Sequence, residues 1–396
     1  FWIVYNGFLL NAGLPQEYYD HPGYLLIIAY SNWLRGLHSL GLLRVDALNG
    51  LPPVVDAAAF SQAWTAATRA GRVLSLLFAM GFVTAFACLI RRLIADWRVA
   101  AMAALLLAFS GGMAMQMRIL RTELLAASLF YIGLLTLLIA AKRGSRATRP
   151  LLIGLAALAI TLAMENKIQI VFLIGALPIL LLPFGPQQAG DGFWRGGKNV
   201  WAAMAITTTA ALLVSYCARD LIGAVLLPTK AGTPVNALTY WGALALWLAT
   251  GIAVYAAVWR VGVLETLCAA FAVVAGSAAG LLALYINYNS QNVYVVTHPL
   301  EQMLAFASPS IHAGDNGTVH FLIRAVWGVF ERRTFVLESS PRPTIFLEWL
   351  TIAMIVFAWR KGHRHAALQA SAMLAVVWGV DTLGMARGLD RKSTRL

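Results

Sequence analysis

Long apolar runs alternate with short polar breaks along this chain, and the run lengths set the first expectation. Runs recur at 72–90, 99–117, 123–141, 150–164, 167–184, 199–218, 237–259, 263–286, 345–359 and 366–385. An α-helix needs about 20 residues to cross a hydrocarbon layer of roughly 30 Å. Lipid offers no partners to backbone N–H and C=O groups, so each run must bond internally as a helix or pair within a closed barrel. These runs are too long and too uniformly apolar for barrel strands. The pattern predicts an all-α fold, a polytopic transmembrane bundle of about ten spans.

The stretch before the first run differs. Between residues 24 and 42, Ser31, Asn32, Arg35, His38 and Ser39 fall at helical spacing on one face. That arrangement suits a juxtamembrane helix lying at the interface rather than crossing it. A polar loop with Asn49-Gly50 and Pro52-Pro53 is expected to follow, continuing to about Arg69. One long polar connection, 287–344, carries His298-Pro299, His312, Asp315-Asn316-Gly317, His320 and Glu331-Arg332-Arg333. Connections of that length are usually functional or mobile. The chain thus divides into a first outer loop (1–71), a transmembrane core (72–286), a second outer loop (287–344) and C-terminal spans (345–396).

Composition agrees: 60% of residues are hydrophobic and 12% charged, which excludes an ordinary soluble domain. The net charge of +13 does not point to nucleic acid, because the basic residues stand singly or in pairs at the ends of apolar runs. There they orient the spans and meet lipid headgroups. Cys88, Cys217 and Cys268 lie inside apolar runs without metal-ligand spacing and read as buried thiols. No HExxH, GxSxG or phosphate-cradling glycine loop occurs, which removes support for a nucleotide-driven pump or an ordinary hydrolase. The chain opens on Phe1 without a signal-peptide pattern and closes on a polar tail, 390–396, so a fragment truncated at both ends is expected.

Charge fixes the expected topology. If 24–42 does not span, alternate connections carry Arg91, Arg92 and Arg98; Lys142, Arg143, Arg146 and Arg149; Arg195 and Lys198; Arg260; and Arg360, Lys361 and Arg364. The other short connections carry Arg118, Arg121, Lys167, Arg219 and Lys230. The richer set is cytoplasmic by the positive-inside rule. Three charged clusters and the 287–344 loop then share the opposite, outer face.

The first cluster is Glu17 with Tyr18-Tyr19-Asp20-His21-Pro22. An acid and a proline are ordinary helix-start residues, but His21 adds a metal ligand or phosphate donor beside the carboxylate. The second is Arg118-Ile119-Leu120-Arg121-Thr122-Glu123, in which two arginines three apart would share a helical face. Arginine meets phosphate oxygens in bidentate fashion, and Glu123 could hold one of those arginines or an acceptor hydroxyl. The third is Glu165-Asn166-Lys167, which interrupts an apolar stretch and has Gln169 on the next turn. A charged turn at a membrane edge is costly unless it faces water or protein, so it marks a site. Each cluster also has a plain reading as helix caps or a re-entry turn. Glu265, Glu348 and Asp381 are weaker candidates, pairing with neighbours or lining the bundle. His298, His312 and His320 lack tight metal spacing, and Asn316-Gly317-Thr318 matches an N-glycosylation triplet.

Tyr19-Asp20-His21-Pro22-Gly23 before a juxtamembrane helix resembles the acid-His-Pro-Pro motif of the GT-C superfamily of membrane glycosyltransferases. It is most similar to glycosyltransferase family 39, the group of protein mannosyltransferases and lipid A aminoarabinose transferases. Arg72 opening the next span, Arg118-x-x-Arg121-x-Glu123 at the following outer turn and Lys167 two spans later extend the likeness over residues 1–185. The resemblance implies sugar transfer from a polyprenyl-phosphate donor to a glycan, lipid or protein acceptor at the outer face of a bacterial inner membrane. Asp20 and Glu123 are then the candidate catalytic carboxylates, and His21, Arg118, Arg121, Glu165 and Lys167 the candidate substrate-binding residues. In such enzymes basic residues, sometimes with a divalent cation, hold the donor phosphate; the residues here name no definite cofactor. Two departures stand out. Gly23 replaces the second proline, and only twenty residues precede His21, where the family's base lies further upstream. The resemblance therefore places the base and first span before Phe1 and makes Asp20 a phosphate or metal partner. A transporter or flippase for a phosphate-bearing lipid is the alternative; midplane charges and inverted repeats, its usual marks, are not evident.

Overall fold

The computed structural model describes residues 2–17, 23–143, 147–167, 170–181, 263–289 and 343–386, with a few single positions between them. Among the described residues the chain is helical and has no strand. The helices are α1 (Trp2–Asn11), α2 (Tyr24–Ser39), α3 (Ala57–Ile94), α4 (Trp97–Ala108), α5 (Gly111–Gln116), α6 (Thr122–Arg143), α7 (Thr148–Asn166), α8 (Ile170–Leu181), α9 (Val263–Asn289), α10 (Pro343–Arg360) and α11 (Arg364–Ala386). Among the described residues four are long and apolar enough to cross a membrane: Ala57–Ile94, Thr122–Lys142, Thr148–Asn166 and Leu264–Ala283. The expected spans at 199–218 and 237–259 lie outside the described residues apart from isolated positions, as do the loop histidines His298, His312 and His320 and the Asn316 triplet. The chain forms two units.

In the first unit, α3 corrects the loop expected up to Arg69. Its helix begins at Ala57, capped by Asp56, whose carboxylate accepts from the Ala59 N–H at 3.1 Å. The stretch after Asp56 mixes alanines with polar residues and so lacks the hydropathy of a span, but its helix propensity is high. At 38 residues α3 is about 57 Å long, nearly twice the hydrocarbon thickness. Its N-terminal part packs under α1 and α2 in a core of Val4, Phe8, Tyr30, Leu34, Ala67, Ala70 and Leu74. Tyr30 donates to the Ala67 carbonyl at 2.8 Å and Trp33 to that of Ala70 at 2.9 Å, tying α2 along this segment. Burial pushes the Tyr30 phenol well above its ordinary pKa. Only part of the expected polar face of α2 is free: Asn32, Arg35 and Ser39 are exposed, but Ser31 is buried and bonded to Asn11.

The expected span 99–117 is a broken helix. α4 ends at Ala108, and Ser110 caps α5 by accepting from the Met113 N–H at 3.3 Å. Gly111-Gly112 follow the cap, and glycine weakens a helix at such a point. The two pieces still return the chain along α3, because Ser75 on α3 donates to the Ile119 carbonyl at 3.1 Å.

α6 and α7 form an antiparallel hairpin in which Gly133 lies against Ile160 and the Ala156 carbonyl. α7 and α9 run parallel: Gly276 meets Gly154, and Gly280 meets Thr161 one turn further on. A Cβ added at Gly276 would stand 2.1 Å from the Gly154 carbonyl oxygen, so only glycine permits this approach. Gly276-x-x-x-Gly280 is thus a small-residue seam of the kind that lets membrane helices touch backbone to backbone. The ion pair between Arg149 at the start of α7 and Glu265 at the start of α9 closes one end, with Arg149 also donating to the Ala140 carbonyl at 3.2 Å. Of the two placements expected for Glu265, pairing or lining the bundle, the structure shows pairing, with a partner on another helix. Arg91, Arg92, Arg98 and Lys142 stand at helix ends on this basic side. Cys88 and Cys268 are exposed on helix surfaces, contrary to the buried placement expected, and Cys217 lies outside the described residues.

In the second unit, α10 and α11 form a hairpin in which the Trp378 indole donates to the Glu348 carboxylate at 3.2 Å. Trp247 donates to the Ile174 carbonyl of α8 at 3.2 Å.

Candidate functional site

At the end of the first unit opposite the Arg149–Glu265 pair, three segments far apart in sequence meet on one side chain. Asn166, the last residue of α7, is fully buried. Its carbonyl accepts from the Gly23 N–H at 3.0 Å, and its Oδ1 accepts from the Leu26 N–H at 3.1 Å. Its Nδ2 donates to the Thr122 carbonyl, where α6 begins, at 2.7 Å. The first N–H groups of any helix lack partners within it. In α2 the cap position is Gly23, which has no side chain to supply one. Asn166 caps α2 from another helix, and the start of α2, the start of α6 and the end of α7 are held together as a result.

Gly23 has φ 57° and ψ 16°, in the left-handed region. Proline, whose φ is fixed near −65°, cannot adopt that conformation. The departure from the acid-His-Pro-Pro pattern therefore has a backbone cause: the chain turns into α2 here by a route that needs glycine. Tyr18–Pro22, including Asp20 and His21, lie outside the described residues. Glu17, just before them, accepts a hydrogen bond from the Tyr5 hydroxyl at 3.0 Å, and this contact raises the Tyr5 pKa.

Lys167 follows Asn166 directly and leaves the helix with extended backbone, φ −152° and ψ 107°. Its Nζ pairs with Glu123 Oε1 at 2.9 Å. The Lys167 side chain is 17% exposed and that of Glu123 40%, so the pair lies at the edge of the buried region with the carboxylate on the open side. Glu123 is ion-paired with Lys167; among the described residues neither arginine of its own turn bonds it directly, although the charge of Arg121 acts on it. Glu165 does not join them: it is buried, and among the described residues no hydrogen bond or ion pair reaches its carboxylate.

Arg118 and Arg121 do not share a helical face, because residues 117–121 form a turn between α5 and α6. Both are exposed. The turn is fixed to α3 by the Ser75 hydroxyl on the Ile119 carbonyl and by Leu120 seated against Gly71. Arg72, which the resemblance has opening the next span, lies within α3, exposed beside that contact. The arrangement can bind an anion. Two exposed guanidiniums stand on a backbone anchored at its middle, at the same end as the Lys167 ammonium.

Among the described residues no group of three or more His, Cys, Asp or Glu side chains could hold a metal ion. Glu123 is engaged by Lys167, and Glu165 is buried away from it, so these residues do not by themselves make a cation centre. The sequence reading missed Asn166 as the organising residue. Its signal was available as an uncharged polar side chain between two charges inside an apolar stretch. It missed Ser75 too, for which an isolated serine in a span gave little warning. Comparison with known proteins adds no further identification: no family model, curated protein or solved structure matches this chain.

Proposed function

We propose that this chain is a membrane glycosyltransferase that moves a sugar from a polyprenyl-phosphate donor to an acceptor hydroxyl at the outer face. The observation that carries the reading is the meeting of the 118–123 turn, the 165–167 segment and the start of α2 around Asn166, with Arg118, Arg121 and the Lys167–Glu123 pair at one end. The reaction breaks the bond between the anomeric carbon and the phosphate oxygen while the acceptor oxygen bonds to that carbon. The phosphate departs with an added negative charge, which Arg118, Arg121 and Lys167 offset from fixed positions. The proton of the acceptor hydroxyl passes to a carboxylate. Glu123, with its side chain 40% exposed, is the carboxylate of this turn that can take part in that transfer, alongside the base that the resemblance places upstream, and Asp20 serves the donor phosphate from the segment before α2.

The test is turnover by the purified full-length protein in liposomes supplied with polyprenyl-phosphate sugars and acceptor lipids, followed by mass spectrometry. The reading expects a glycosylated acceptor and free polyprenyl phosphate, both lost in the Arg121→Ala, Glu123→Ala and Lys167→Ala variants. Movement of the intact donor across the bilayer with no covalent product would overturn it in favour of a flippase.

A further inference from the structure

A second charged feature lies far from this site in sequence. The turn joining α10 to α11 carries Arg360, Lys361, His363 and Arg364 within five consecutive residues, all exposed. The turn is tightly built. His363 N–H bonds the Ala358 carbonyl at 2.8 Å and Gly362 N–H that of Trp359 at 3.1 Å, the paired bonds of a Schellman motif, with Gly362 at φ 84°. His363 in turn accepts from the Ala367 N–H at 3.1 Å, so α11 starts without slack.

Helix stability accounts for only part of this charge. Arg360 and Lys361 suit the negative C-terminal end of α10, but Arg364 sits in the first turn of α11, where the helix field disfavours a cation. Among the described residues no ion pair neutralises any of them, and the nearest acid along the chain, Glu348, is bonded to Trp378. Instead the cations lie over exposed aromatic rings: Lys361 over Phe357 at 5.8 Å and Arg364 over Trp359 at 5.8 Å. Trp359 and Phe357 are 50% and 55% exposed. Aromatic rings with basic groups just beyond them are the composition of a membrane interface at headgroup level.

We infer that the α10–α11 turn is a binding site for the headgroup of an anionic phospholipid in the cytoplasmic leaflet. The phosphate meets Arg360, Lys361 and Arg364 while the acyl chains run beside Phe357 and Trp359. The leaflet follows from the same charge count that sets the topology. Each Lys or Arg near an anionic membrane surface strengthens binding by about fivefold, so three of them give selectivity on the order of 10² over a zwitterionic lipid.

The test is native mass spectrometry of the full chain in detergent, titrated with phosphatidylglycerol or phosphatidylcholine. The inference expects a tightly held phosphatidylglycerol adduct that weakens on the order of 10²-fold in the triple variant Arg360→Gln, Lys361→Gln, Arg364→Gln. That adduct should persist in a control variant Arg91→Gln, Arg92→Gln, Arg98→Gln, with both variants retaining wild-type helical circular dichroism. Three results would each overturn it: equal retention of the two lipids by the wild type, loss of the adduct in the control variant alone, or displacement of the adduct by millimolar inorganic phosphate. A misfolded triple variant is replaced by the three single variants, whose adducts must each weaken about fivefold.

Discussion

Replacing Asn166 by alanine tests the assembly of the site most closely. The substitution keeps the backbone carbonyl that accepts from Gly23 but removes both side-chain bonds, to Leu26 N–H and to the Thr122 carbonyl. The two losses are unequal. Leu26 lies in the first turn of α2, where its N–H has no helical partner, so it becomes a buried orphan donor costing about 1–3 kcal/mol. The Thr122 carbonyl opens α6 and retains its intrahelical bond, so its loss is the smaller, roughly 1 kcal/mol. Together with the space left by the side chain, the expected destabilisation is about 2–4 kcal/mol. Reversible unfolding in mixed micelles, followed by circular dichroism, measures it. Ser128→Ala is the control, because Ser128 bonds the Leu124 carbonyl of its own helix, which keeps its intrahelical partner, and a loss of no more than about 1 kcal/mol is expected. If Asn166→Ala unfolds within 0.5 kcal/mol of the wild type (roughly the span of an ordinary surface change), the cap supplied from α7 does not hold the site together.

Other parts of the fold make separate predictions. Gly276→Ala drives a methyl group into the Gly154 carbonyl and should cost about 1–3 kcal/mol, whereas Gly81→Ala, on an open face of α3, should stabilise by about 0.5–1 kcal/mol in the same unfolding measurement. Arg149→Ala leaves Glu265 without its ion-pair partner at a mostly buried position and should cost about 2–3 kcal/mol; the double variant with Glu265→Gln should be less destabilised than Arg149→Ala alone. Ser110→Ala removes the cap of α5 and should lower stability by about 1 kcal/mol, read in the same micelles.

Much of the architecture was legible because one constraint dominates a membrane chain. Apolar runs of spanning length have few options, and α6, α7 and α9 appear within a few residues of the runs at 123–141, 150–164 and 263–286. Counting charges between runs went further: it put residues 118–123, 165–167 and the segment before α2 on one side, and Asn166 bonds Thr122, Gly23 and Leu26. Local breaks were harder. Hydropathy averaged over a span hides Ser110-Gly111-Gly112, although serine before two glycines is a helix-break signal in itself. The start of α3 was hidden in the opposite way, since Asp56 before three alanines is a cap signal in a stretch too polar to look like a span.

Pairings were not legible at all. Glu123 is 44 residues from Lys167 and two from Arg121, so sequence proximity favoured the arginine, and the fold chose the lysine. The seam at Gly276 and Gly280 had its spacing in plain view, but which helix it would meet depended on α7 and α9 running parallel, which no local pattern shows.

Sidedness of the charged ends tests the central claim most directly. Single cysteines at Arg121 and at Lys142, in a chain with Cys88, Cys217 and Cys268 replaced by alanine, can be labelled in intact cells with a membrane-impermeant maleimide. The account predicts labelling at position 121 from outside and at 142 only after permeabilisation. Labelling of both from the same side, or of 121 only from within, would contradict an outer-face site built on Arg118, Arg121, Glu123 and Lys167.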